Sequence, residues 1–218
     1  MPHQRRVVLF QGDSITDGGR GRSADPNHIL GRGYAYSIAA RLGFELAERA
    51  PTFINRGVSG DRVSDLYARW NEDFFSLKPT LLSVLIGVND AWRIVNNEPT
   101  GATDRFERAY TLLLEETRDK SPGTGIVIME PFILNAGAPA ANWDVWRAKL
   151  FEYQVTARRL ADRFDAAFVP LQEPFERACA RAEPSYWLWD GVHPTAAGHE
   201  LIAREWLSVV QSSRLAIR

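Results

Sequence analysis

A single cysteine, Cys179, is all the thiol this chain carries, so no disulfide can form within it. That usage is compatible with a reducing, cytoplasmic compartment. Long apolar runs are missing as well. The first, residues 7–10, is far shorter than a signal-peptide core and leads straight into Gly12-Asp13-Ser14. Nothing later approaches the length of a membrane span. We therefore expect an unprocessed, soluble, intracellular protein with no membrane partner. An excess of charge is absent too: 26 Lys and Arg stand against 27 Asp and Glu, scattered rather than gathered into a stripe. The electrostatic footprint of a nucleic-acid binder is thus lacking, and no nucleic-acid partner is expected.

What is present fits one domain over residues 1–218, undivided by any repeat, low-complexity tract or linker. Short aliphatic runs at residues 7–10, 52–55, 81–86, 126–129 and 167–169 read as strands. Between them Phe106, Ala109, Tyr110, Leu113 and Leu114 recur at helical spacing, as do Trp146, Leu150, Tyr153, Ala157, Leu160 and Phe164. Strands that are apolar throughout, each followed by a helix, predict a doubly wound parallel α/β sheet covered on both faces. In such sheets ligands bind beyond the carboxyl ends of the strands, so residues just after each strand are where chemistry is sought. Two stretches read as loops bordering that crevice, residues 18–33 and 135–141.

Strand one runs into Gly12-Asp13-Ser14-Ile15-Thr16, strand two into Asn55-Arg56-Gly57-Val58-Ser59-Gly60, and strand three into Gly87-Val88-Asn89-Asp90. A fourth block, Trp189-Asp190-Gly191-Val192-His193-Pro194, precedes the last helix. A serine hydroxyl needs a neutral imidazole to take its proton as it attacks, and His193 is the candidate for Ser14. Asp190 can hold the other ring nitrogen from the same loop, because Pro194 keeps His193 out of helical geometry. A tetrahedral oxyanion needs aimed donors. Three are assigned: the backbone N–H of Ser14, the backbone N–H of Gly57 and the side-chain amide of Asn89. This chemistry needs neither cofactor nor metal.

These four blocks, in order from residue 12 to residue 193, resemble the SGNH, or GDSL-like, hydrolase superfamily. The resemblance implies a three-layer doubly wound parallel sheet of about five strands, the flavodoxin-like SGNH fold. It also implies a triad of Ser14, Asp190 and His193 and an oxyanion hole of Ser14, Gly57 and Asn89. Residues 12–21, 62–72 with Asp65, Arg69 and Trp70, and 86–93 with Trp92 look most like the intracellular acetylxylan esterases, as do Trp189-Asp190 and the run from His193 through His199. What that likeness implies is a serine esterase acting on short acyl esters, acetyl above all, of a small molecule or xylo-oligosaccharide. Homo-oligomers are common among such esterases, and exposed apolar helix residues could serve subunit contacts.

Each signal has a plainer reading. Ser59 is a rival nucleophile, since Gly57-Val58-Ser59 begins a Gly-x-Ser-x-Gly elbow, but Asp61 replaces its last glycine, so a helix cap before Val63 is the alternative. Asp13, Asp17 and Asp90 read better as turn or capping carboxylates. His199 reads as structural or solvent-facing, His3 and His28 lack supporting context, and Arg20 and Arg56 could touch substrate but read more simply as solvated surface. Trp92 and Trp189 flank the proposed site, where a flat apolar face could stack on a sugar or pack as a lid. Trp146 and Trp206 belong to core stripes. Rival functions are a thioesterase or lysophospholipase with a slot for a long acyl chain, a metal phosphoesterase, and a non-catalytic carbohydrate-binding domain. Against the metal enzyme, only one histidine falls at a strand end or catalytic loop.

Overall fold

The computed structural model describes residues 6–23 and 25–217, which leaves His3 and Ala24 outside the described residues. Five strands form one parallel sheet: β1 (Val7–Gly12), β2 (Thr52–Asn55), β3 (Leu81–Leu85), β4 (Gly125–Met129) and β5 (Ala167–Val169), in the order β2-β1-β3-β4-β5. These are the five expected runs. They are readable because strands buried on both faces admit apolar side chains at every position, as the fully buried β3 shows.

The first strand is two residues longer than the apolar run. Gln11 and Gly12 pair with Val84 and Leu85. The buried Gln11 amide is satisfied from afar, its Nε2 donating to Asp73 O at 2.7 Å and its Oε1 accepting from Arg69 Nη1 at 3.1 Å. At Gly12, a Cβ would lie 2.3 Å from Leu85 O, so only glycine fits. Strand three stops one residue short of the expected Ile86.

Helices cover both faces. On one, Tyr34–Glu45 and Ala196–Ser212 pack together, and Trp206 and Tyr34 meet Phe10 of β1 with ring centroids 5.8 and 5.7 Å apart. On the other, Thr103–Lys120 and Trp143–Arg163 bury the two predicted stripes, with Phe106 against Tyr153 at 5.1 Å. Ala109 and Phe164 are only partly buried and pack at the edge of that core. Trp146 and Trp206 are buried, as core stripes require. The 135–141 stretch is not wholly a loop: Gly137–Ala140 makes one helical turn, entered at Gly137 with φ +51°, where a Cβ would strike Asp190 O at 2.2 Å. No helix among the described residues is long and apolar enough to cross a membrane.

From β1 the chain crosses to β2 on one side, then returns to β3 on the other. The order therefore reverses between β1 and β3, and the crevice opens at their carboxyl ends.

Candidate active site

Ser14 is the first residue of a single helical turn, Ser14–Asp17, that begins two residues after β1. Asp13 caps it: Oδ1 accepts the Ile15 N–H at 3.0 Å, and the Asp13 carbonyl accepts the Asp17 N–H at 2.8 Å. The Ser14 backbone is thereby fixed, and its Oγ lies 2.9 Å from His193 Nε2.

His193 is held by its own loop. Asp190 Oδ1 accepts the N–H of Val192 at 3.0 Å and of His193 at 2.7 Å, while Oδ2 lies 2.7 Å from His193 Nδ1. Gly191, at φ +85°, makes the turn that lets one carboxylate reach both backbone and ring. Thr195 then caps the helix Ala196–Ser212, so Pro194 stands outside it, as expected. Burial pushes the Asp190 carboxyl up, but the hydrogen bonds from the His193 and Val192 N–H groups and the ring outweigh it and hold the group below the usual carboxylate range. An ionised carboxylate only accepts, so the proton sits on Nδ1. The Nε2 lone pair is then turned to the Ser14 hydroxyl.

The expected donors divide. Asn89 is the second residue of the helix Val88–Val95, and one of its two Nδ2 protons goes to Asp61 O at 3.0 Å, which leaves the other without an acceptor among the described residues. Gly57 departs from expectation. Its N–H donates to Asn55 Oδ1 at 2.9 Å and is therefore already committed. Its lack of a side chain serves packing instead, since a Cβ would lie 2.4 Å from Asp17 N. Further along the same loop, Gly60 has φ +87°, open space around its Cβ position and an N–H with no acceptor among the described residues. Gly60 precedes Asp61, whose carbonyl anchors Asn89, and no signal in the sequence separates it from Gly57 as the donor. Asn55 was also missed, as a polar residue closing an apolar strand.

The remaining carboxylates do cap or tie turns. Asp17 accepts from Arg22, Arg20 N and Ser59 N, and Asp90 accepts the Val63 N–H at 3.3 Å. Burial raises Asp13 to about 7 and Asp90 to about 8. Ser59 meets Asp17 through its backbone, while the catalytic-loop histidine is on Ser14. His199 is structural: Nδ1 accepts the Tyr34 N–H at 3.2 Å, and burial, with His193 nearby, lowers it to about 4. His28 pairs with Asp25 on the surface. Trp189 is 64% exposed and its ring lies 6.3 Å from the His193 ring at 25°. Trp92 is also partly exposed and meets Trp146 edge-on at 5.1 Å. Among the described residues, no three His, Cys, Asp or Glu side chains are grouped to hold a metal ion.

With this geometry in view, the model of the GDSL-like lipase/acylhydrolase family matches residues 10–201. An acetylxylan esterase of Geobacillus stearothermophilus is 34% identical over 206 residues, covering 92% of this chain and 91% of that protein. Its crystal structure superposes with a TM-score of 0.83 at 32% identity, covering 96% of each chain. Catalytic mutants of that enzyme, with a serine, a histidine and an aspartate each replaced by alanine, share the fold. A structure from Parabacteroides merdae described as a GDSL-like lipase gives a TM-score of 0.91 at 37% identity, covering 97% of this chain and 99% of that one.

Proposed function

We propose, from the premise that this chain belongs to the GDSL-like lipase/acylhydrolase family and is a carboxylic ester hydrolase, that it removes acetyl groups from xylo-oligosaccharides or related sugars through an acyl-enzyme. The observation that carries the reading is the continuous relay Ser14 Oγ, His193 Nε2, His193 Nδ1, Asp190 Oδ2, with links of 2.9 and 2.7 Å. The name of the Geobacillus relative supports the substrate class.

Ser14 Oγ attacks the ester carbonyl carbon as its proton passes to His193 Nε2. The imidazolium so formed is stabilised by Asp190, and the carbonyl oxygen becomes an oxyanion. The donors for it are the Ser14 N–H, the free Nδ2 proton of Asn89 and, in place of Gly57, the Gly60 N–H, each worth roughly 3–4 kcal/mol of barrier. Collapse breaks the bond to the sugar oxygen, which takes the proton from His193. Water, deprotonated by the same imidazole, then attacks the acetyl-serine and releases acetate. Trp189, beside the imidazole, offers a flat face to the sugar, and Trp92 a second.

Hydrolysis of p-nitrophenyl esters from acetyl to octanoyl, beside peracetylated xylose, tests this on wild type and Ser14→Ala. Fastest turnover of acetyl, deacetylation of the sugar and a dead variant are expected. Preference for octanoyl would instead place the chain among thioesterases or lysophospholipases.

A further inference from the structure

Three guanidinium groups meet at the carboxyl end of the edge strand β2. Arg20, Arg22 and Arg56 line a cavity of about 220 Å³, with Ser23, Ile29 and Ile54 among its walls. Arg22 Nη2 lies 2.5 Å from Asp17 Oδ2, and Arg56 Nε lies 3.5 Å from Asp73 Oδ1. Asp73 is shared, however: its Oδ2 also takes Arg69 Nη1, whose Nε pairs with Asp61. Arg56 Nε is buried and makes no hydrogen bond among the described residues. Arg20 forms no ion pair among the described residues, and its Nε donates to the neutral Gly57 carbonyl at 2.8 Å. Among the described residues, four arginines thus face three aspartates, and one positive charge is left over at the cavity. Burial, with Arg22 beside it, lowers Arg20 to about 10, as befits cations crowded without a full complement of anions.

The cavity is built by hydrogen bonds rather than left by loose chain. The Arg20 N–H donates to Asp17 O at 2.9 Å and to Asp17 Oδ1 at 3.0 Å, and Gly21 N donates to His28 O at 2.7 Å. Arg32 N closes the loop on Gly18 O at 2.9 Å. At Gly31, φ is +74° and a Cβ would strike Asp17 O at 2.5 Å, so the loop seats directly on the nucleophile's helix. Arg20 follows that helix by three residues. Through Gly57 O it also grips the start of the loop whose far end, Asp61 O, anchors Asn89.

We propose that this cavity is a subsite for an anionic substituent, carboxylate or phosphate, carried by the sugar whose ester is cleaved. The idea rests on the sugar-esterase reading above and narrows its substrate class. A planar guanidinium with unused N–H donors matches either oxyanion, and fixed donors bind it better than mobile surface cations do. An acetylated sugar bearing a uronic acid is the simplest substrate of this kind.

The test compares kcat/KM for an acetylated neutral xylo-oligosaccharide, its counterpart carrying a uronic acid, and an acetylated xylose phosphate. Wild type, Arg20→Gln and Arg56→Gln are measured at low and high salt. Wild type should favour an anionic ester over the neutral one by about tenfold, chiefly in KM, as hydrogen bonds to a charged group imply. That ratio should fall towards one in Arg20→Gln and shrink with added salt. Which anionic ester carries the preference identifies the group. Equal kcat/KM for neutral and anionic esters in wild type, or a full preference retained in both variants, would overturn the subsite. If Arg20→Gln does not fold, Arg56→Gln carries the comparison. If wild type cleaves p-nitrophenyl acetate but no sugar ester, the sugar reading fails by itself. The subsite is then decided by calorimetric titration of glucuronate and inorganic phosphate into wild type and Arg56→Gln. Binding that the variant weakens retains it, and no binding of either anion removes it.

Discussion

Asn55 Oδ1 accepts the Gly57 N–H at 2.9 Å, while its Nδ2 donates to Thr16 O at 2.7 Å and Leu30 O at 2.9 Å. One buried amide thus joins the end of β2 to the nucleophile's helix and to the loop seated on it. In Asn55→Ala, a backbone N–H and two carbonyls lose their partner, and each buried orphan costs about 1–3 kcal/mol. Urea unfolding should show a loss of at least about 2 kcal/mol of stability, together with a lower kcat. Unchanged stability would mean that water or neighbours replace the amide at no cost.

Asn89→Ala removes the amide proton that the bond to Asp61 O leaves over in the first turn of the helix Val88–Val95. On p-nitrophenyl acetate, kcat should fall by about 10²- to 10³-fold with little change in KM, because the donor matters most once the oxyanion forms. A rise in KM at constant kcat would make Asn89 a ground-state binder instead.

The pH dependence of stability follows from the buried carboxyls. Asp90 and Asp13 are raised in the folded state to about 8 and about 7, so the folded chain holds protons that the unfolded chain has released above about 4. Their contribution is therefore full below that pH and is lost as pH climbs through 7 and 8. His199, lowered to about 4, acts oppositely: its contribution is present above about 6.5 and is lost as pH falls through 4. Urea midpoints at pH 5, 7 and 9 should decline from neutral to alkaline pH in wild type. Asp90→Asn, which mimics the protonated side chain and keeps an acceptor for the Val63 N–H, should flatten that decline. Parallel profiles for the two proteins would remove Asp90 as its cause.

Trp189→Ala strips the exposed ring beside His193. For peracetylated xylose, KM should rise by roughly threefold to tenfold, the equivalent of about 1 kcal/mol of lost aromatic contact. An equal loss on p-nitrophenyl acetate would point to a role in holding the imidazole rather than the sugar.

All five strands could be read because a parallel strand covered on both faces is a plain apolar run. The end of β1 could not be read, since Gln11 looks like a loop residue until Arg69 and Asp73 arrive from a distant segment to satisfy it. The Ser14, His193 and Asp190 blocks were legible because each is a contiguous motif, and the fold brings them within hydrogen-bond reach. Gly57 misled because a glycine after a strand explains a close approach whichever way its N–H points. Only tertiary structure reveals that Asn55 holds that N–H while Gly60 leaves its own free. Arg20 likewise reads as a solvated cation, and its half-buried place in a three-arginine cavity depends on how the loop folds back on Asp17.

The role of Ser14 as nucleophile is tested by stoichiometric labelling with a p-nitrophenyl phosphonate, followed by peptide mapping. The expected result is one label per chain on Ser14, activity lost in proportion to labelling, no reaction in Ser14→Ala and slow reaction in His193→Ala. Label on Ser59, or full activity in a chain labelled at Ser14, would contradict it.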